Sequence, residues 1–228
     1  MAQILFRDGT YLELIAFVHD HPERRKGYWW DMPYGIVDLA LTTCEPSDLL
    51  ALQRRLAALG SRVSYATTRE GGQVTLGTQE LKWRVDFSDG VQRGAMRFFW
   101  EDLTPHFRRV PAVNGNTHHP CDADGISGID DEVAESLYKR LVPALAAATN
   151  SSATKRGRHP FATPFEIGRL EQETVRLVKR LRDDDKQVQM KVMIQCLGRK
   201  PNVERRVGDG VVLIDFVNGE SSKVVREE

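Results

Sequence analysis

Apolar residues recur at two spacings along this chain, and the switches between them mark out its elements. In 35–41, Val37, Leu39 and Leu41 alternate with Ile36, Asp38 and Ala40, the period of a strand. Leu49, Leu52, Leu56 and Leu59 then step by three or four, which predicts an amphipathic helix over 47–59. Pro46 near its start and Gly60 past its end fit the usual asymmetry of helix termini. Alternation returns in 63–67, 80–87 and 96–100, interrupted at Gly71-Gly72 and at Ser88-Asp89-Gly90. The stretch 35–111 therefore reads as one complete βαβββ unit. Ahead of it, Asp8-Gly9 between the apolar runs 4–6 and 11–18 predicts a hairpin. Behind it come a turn-rich loop and closing strand over 112–130 and a helix over 131–147 carrying Val133, Leu137, Leu141 and Leu145. A polar stretch, 149–158, is expected to be a mobile linker. Strands over 161–167, 188–197 and 210–217, a short helix over 171–181 and a disordered tail over 220–228 complete the pattern. The fold class is α+β.

The leucine stripe of the helix is expected to cover the Val37/Leu39/Leu41 face, which leaves Asp38 on the opposite, concave side. In 80–87, Lys82, Arg84 and Asp86 alternate with Leu81, Trp83, Val85 and Phe87. In the last strand Arg97, Phe99 and Glu101 alternate with Met96, Phe98 and Trp100. This parity groups Asp38, Arg84, Arg97 and Glu101 on one concave surface. Tyr11 and Glu13 share one face of the hairpin, and an acid embedded in a strand needs a partner or solvent. An apolar cup would be lined by Tyr11, Trp29, Trp30, Trp83 and Phe99. His118-His119 near Cys121 and Asp122 is the most metal-like cluster by composition, although adjacent residues rarely face one ion together. Asp183-Asp184-Asp185 reads as a solvated turn.

Composition narrows the function classes. The 228 residues hold 32 basic and 32 acidic side chains, so no global field draws the chain to nucleic acid or to a membrane. No apolar run approaches the roughly 20 residues that a bilayer crossing needs. Three cysteines, far apart in sequence, argue against a disulfide framework and for a reducing compartment, the cytoplasm. The partner expected is a small molecule, with no nucleic acid and no membrane. The exposed edge of the hairpin adds the expectation of a homodimer by strand exchange.

Several short stretches, in order, resemble the glyoxalase-like domain family of the vicinal oxygen chelate superfamily. They are residues 8–17 (DGTYLELIAF), 35–41 (GIVDLAL), 69–72 (REGG), 81–83 (LKW) and 96–105 (MRFFWEDLTP), closed by His119-Pro120 and 125–129 (GISGI). The resemblance covers roughly residues 3–130. It implies paired βαβββ modules around a divalent metal, with the glyoxalase-like domain at 1–130. Residues 1–34 would be a partial first module lacking its opening strand and helix, 35–111 the complete one, and 131–219 a degenerate third module. By position, Glu13, Asp38 and Glu101 would be the ligands of Mg, Mn, Fe or Zn. Glu13 or Glu101 would also serve as general base, with Tyr11, Trp30, Arg84, Arg97 and Phe99 binding substrate. The activity implied is a metal-dependent lyase or isomerase acting on a small oxygenated metabolite. The alternatives are a metal-free small-molecule-binding module and an inactive remnant.

Overall fold

The structure is a computed structural model. It describes residues 2–19, 21–28, 31–32, 34–43, 48–65, 68–75, 77–113, 115–150, 154–156, 159–165, 173–179, 189–196, 200–207 and 210–218. The expected tail at 220–228, Trp29, Trp30 and the acidic run 183–185 lie outside these residues.

The chain opens with the expected hairpin. β1 (Ala2–Leu5) pairs antiparallel with β2 (Tyr11–Leu14), Leu5 opposite Tyr11. The Asp8 carboxylate closes the turn by accepting from the Thr10 N–H at 2.8 Å and its hydroxyl at 2.7 Å. The two strands form a sheet of their own. The turn is tied to the body through the Arg7 N–H, which donates to the Asp124 carbonyl at 3.1 Å. After the short helix α1 (Pro22–Arg25) the central unit begins.

That unit is β3 (Ala40–Leu41), α2 (Asp48–Ala58), β4 (Thr68–Val74), β5 (Glu80–Asp86) and β6 (Phe98–Asp102). The strands lie in the order β3-β6-β5-β4, with β3 parallel to β6 and the other pairs antiparallel. α2 ends as its sequence predicts: Gly60 takes φ +66°, the Ser61 N–H donates to Leu56 and the Gly60 N–H to Ala57. Those two bonds form a Schellman cap, which a left-handed glycine permits. Leu49, Leu52 and Leu56 are buried, whereas Leu59, beyond the helix, is about half exposed.

The strand after α2 departs from expectation. Of the expected strand, residues 63–65 are described and supply a bridge between Ser64 and Asp89, whereas a strand forms over Thr68–Val74, straight through Gly71-Gly72. The reason is a close approach. A Cβ on Gly71 would stand 2.4 Å from the indole nitrogen of Trp83, its partner on β5, so glycine is what lets the indole lie against β4.

α3 (His106–Arg109) follows, then β7 (Ala123–Val133), α4 (Glu135–Ala148), β8 (Thr154–Arg156), β9 (His159–Phe165) and β10 (Glu173–Lys179). β7, β10, β9 and β8 are neighbours in that order, with β7 parallel to β10. The arrangement repeats that of the central unit. The segment expected as a degenerate third module is therefore opened by β7, and three expectations inside it are corrected. Asp131 belongs to a strand rather than to the start of a helix. Residues 173–179 are a strand rather than a helix, since β7 offers them a pairing edge from Gly128 to Val133 and Thr174, Val175 and Val178 are β-branched. Thr154–Arg156, inside the expected linker, is β8. β11 (Gln189–Cys196), β12 (Val203–Val207) and β13 (Gly210–Asn218) extend the sheet to seven strands, with β11 antiparallel to β7.

One core gathers Leu41, Phe99 and Tyr65 with Leu52 and Leu56 of α2 and Leu141, Ala144 and Leu145 of α4. A second joins Phe6 to Ile126, Ile129, Val192 and Ile194. No helix among the described residues is long and apolar enough to cross a membrane.

Candidate functional site

The two faces of the four-stranded sheet differ in kind. Phe99 is buried beneath α2, edge-on to Tyr65 with centroids 5.3 Å apart, so its parity marks the helix side. Register places Arg84 opposite Glu101 and Asp86 opposite Phe99, which puts all four on that side. The other side carries Arg69, Trp83, Phe87, Phe98, Trp100 and Asp102, together with Asp38 ahead of β3.

On this outer face two aromatic pairs stand beside each other. Trp83 and Trp100 are stacked at 5.1 Å and 21°, and Phe87 lies 5.3 Å from Phe98. All four rings are partly exposed. At the phenylalanine end the Arg93 guanidinium sits 3.8 Å from the centre of the Phe87 ring, and its Nε is 2.7 Å from Asp38 Oδ2. Asp38 is nearly buried and also accepts from the Leu39 N–H at 2.9 Å. Burial pushes its carboxyl up from the usual range, while the charges of Arg93 and Arg97 oppose the rise. Arg69 approaches the same Phe87 ring at 5.8 Å.

At the tryptophan end Asp102 is the hub. Its carboxylate receives both sides of the Arg109 guanidinium at 2.7 and 3.0 Å, the Trp100 indole N–H at 3.0 Å, and His106 Nδ1 at 2.6 Å. Burial alone would raise this carboxyl. The bonds from His106, Arg109 and Trp100 outweigh it and hold Asp102 well below the ordinary carboxylate range. Arg109 lies over the rings of both Trp100 and Tyr11, at 5.0 and 5.2 Å, and donates to the Tyr11 hydroxyl. Burial raises the Tyr11 pKa, with Arg109 pulling against it.

The expected site residues therefore divide. Asp38 stands on this face beside Arg93, and Tyr11 borders it through Arg109. Glu101 and Arg84 face the helix side instead and pair with each other at 3.6 Å, Arg84 also reaching Glu70 at 3.3 Å. Phe99 is core. Arg97 is fully buried and paired with Asp131 of β7, its Nη1 directed at Met190 Sδ at 3.9 Å. Burial pushes its guanidinium down to about 10, against the charges of Asp38 and Tyr65. Glu13 stands on the hairpin, exposed by area. Partial burial of its carboxyl raises the pKa, with Arg109 opposing. Trp30 lies outside the described residues.

These placements test the metal set that the resemblance implied. Asp38, Glu101 and Glu13 belong to three different surroundings, two of them on opposite faces of one sheet, and Asp38 and Glu101 each face an arginine. Among the described residues no three His, Cys, Asp or Glu side chains converge as a ligand group. The residues described do not fit the implied centre. His119, the other metal-like candidate, joins its Nε2 to the Leu5 carbonyl at 2.7 Å and packs on Phe6, pinning the hairpin.

Sequence reasoning missed Trp100, Asp102, His106 and Arg109. The available signal was parity: Trp83 and Trp100 both alternate with charged residues, and charges under a helix must pair with one another.

Two units in which the first strand lies beside the fourth, the fourth beside the third and the third beside the second define a protein of paired βαβββ modules. The sequence profile of the glyoxalase-like domain matches residues 2–149, and the chain belongs to that family, within the vicinal oxygen chelate superfamily. A crystal structure described as a hypothetical protein from Staphylococcus aureus shares the fold, with a TM-score of 0.53 at 11% identity. The superposition covers 79% of this chain and 66% of that one, so the present chain spans just under two thirds of that protein's length. No curated protein sequence matches the chain.

Proposed function

We propose that this protein is a small-molecule-binding member of the glyoxalase-like family that takes its ligand on the aromatic outer face of the β3–β6 sheet without a bound metal. The observation that carries this reading is the pair of partly exposed aromatic couples, Trp83–Trp100 and Phe87–Phe98, each flanked by an arginine locked to a carboxylate. Aromatic surface left half open on a sheet is apolar area that a flat ligand buries, at about 25 cal/mol per Å². The Arg93–Asp38 and Arg109–Asp102 pairs hold the walls without consuming ligand, because each charge already has its partner. A metal-dependent lyase or isomerase reaction would need Glu13, Asp38 and Glu101 to meet, and their positions do not support it. A reducing, cytoplasmic setting belongs to the same reading, motivated by Cys121 and Cys196 as free thiols.

Ligand-observed NMR with a library of uncharged aromatic fragments tests the reading on the full chain, against wild type and Trp100→Ala. Hits lost in the variant, with manganese titration leaving the affinities of the rest unchanged, are the expected result. A library without hits, hits indifferent to Trp100→Ala, or binding that appears only with metal overturns it.

A further inference from the structure

A cavity of about 470 Å³ opens between the loop that joins β5 to β6 and the first turns of α4, and none of the aromatic-face residues lines it. The loop side is held in place. Ser64 and Asp89 exchange backbone bonds at 2.8 and 3.2 Å, and Gly90 takes φ +81° where a Cβ would strike the Arg62 carbonyl. The helix side is tied to the loop by Arg140, whose Nη2 donates to the Gly90 carbonyl at 3.1 Å. Val91 and Leu137 supply the apolar part of the lining, and both pack against the core that α2 shares with α4 while staying partly exposed. Gln92, Ser136 and Arg140 line the cavity as exposed polar side chains. Its charge is one-sided. Among the described lining residues Arg140 alone is charged, and it has no carboxylate partner among the described residues. Glu135, on the same helix, pairs with Lys139 at 3.4 Å, and neither of those two lines the cavity.

We propose that this cavity is a second small-molecule site, separate from the aromatic face, and that it takes an aliphatic monocarboxylate. A guanidinium carries five N–H donors, so the one bond to Gly90 leaves the rest for a ligand, and its planar fork matches the two oxygens of a carboxylate. The Ser136 hydroxyl and the Gln92 amide are further donors in the same lining. One cation balances one negative charge, and a dianion would leave a charge unmatched. The apolar lining is branched and aliphatic, with no aromatic ring among its described residues to stack on, so the body of the ligand is a hydrocarbon chain. The volume falls within the range of about 300–1,000 Å³ that small-ligand sites occupy, which is ample for a chain of about six carbons. The loop belongs to the central unit and α4 to the next one. A carboxylate held by both therefore favours the state in which the two units are docked.

Proton–nitrogen correlation NMR on the full chain, titrated separately with hexanoate, 1-hexanol and acetate, tests the proposal. Hexanoate is expected to shift the amides of Val91, Gln92 and Leu137. It should bind at least tenfold more tightly than hexanol, which keeps the chain without the charge, and than acetate, which keeps the charge without the chain. Arg140→Gln is expected to weaken hexanoate about tenfold and to leave hexanol unchanged, since a hydrogen bond to a charged group contributes on that scale. Arg140→Lys should recover only part of the loss, because an ammonium keeps the charge and lacks the fork. Circular dichroism checks that each variant folds, and the three-ligand comparison on wild type stands without any variant. Equal affinity for hexanoate and hexanol overturns the proposal, as does hexanoate binding indifferent to Arg140→Gln. Shifts centred on the Trp83 and Trp100 indoles instead of the cavity, or no shifts with hexanoate, overturn it as well. Each of these failures leaves the aromatic-face reading in place, since the fragment screen tests that reading separately.

Discussion

Asp102 shows how much one carboxylate organises. Arg109, Trp100 and His106 converge on it, and Arg109 carries the link onward to Tyr11, so the hairpin and the sheet share one hub. Because its pKa in the fold lies below the unfolded value of about 3.9, its contribution is fully present above that pH and is lost as pH falls through the folded pKa. Asp102→Asn is expected to cost about 1–3 kcal/mol at neutral pH, the scale of charged hydrogen bonds lost at a mostly buried site. Urea melts of wild type and variant at pH 7 and at pH 3 check this. The gap between them should be wide at pH 7 and narrower at pH 3, and a gap that is constant with pH would refute the assignment. Nothing local in the basic stretch 103–111 reveals that His106 and Arg109 fold back onto an acid at the end of β6.

At the scale of elements, α2 was the most legible part of the chain. Its leucine spacing and Gly60 cap are local properties, written in consecutive residues. β4 was the least legible, because two adjacent glycines ordinarily break a strand, and only Trp83 on the neighbouring strand explains them. Gly71→Ala is expected to push the indole out of its seat and to cost about 1–3 kcal/mol, the usual penalty for overpacking. Thermal denaturation would register the loss, and near-ultraviolet circular dichroism would report the displaced Trp83–Trp100 stack. An unchanged aromatic spectrum in a stable variant would contradict this account of β4. The parity of β5 and β6 was also correctly readable as alternation. Which parity faced the helix was not, since Phe99 and Phe98 are equally apolar and the choice is made by Leu41, Tyr65 and α2.

For the molecule as a whole, the buried pair of Arg97 and Asp131 joins the central unit to β7, near Met190 of β11. In α2, Arg55 adds a second tie, its Nε donating at 2.6 Å to the Ala147 carbonyl at the end of α4. Arg97→Met leaves Asp131 as an uncompensated buried charge, and the expected loss is about 3–5 kcal/mol. Adding Asp131→Leu should restore most of it, because an apolar pair can replace a buried ion pair. Chemical denaturation of the single and double variants decides the matter. A double variant no more stable than the single would mean that the pair is not what couples the two units.

The sequence by itself determined the hairpin, α2, the strand alternation and the family, all of which rest on local spacing and on the order of short stretches. Tertiary structure alone decided which face of the sheet is the open one, that the acids Asp130, Asp131 and Glu132 continue a strand, and that 173–179 pair along β7. It also decided that Glu13, Asp38 and Glu101 stand apart. The physical reason is common to all four. A strand's parity, an acid's tolerance of burial and a ligand set's convergence depend on partners distant in sequence, such as Arg97 for Asp131 and Arg93 for Asp38. Those partners meet only once the chain has folded.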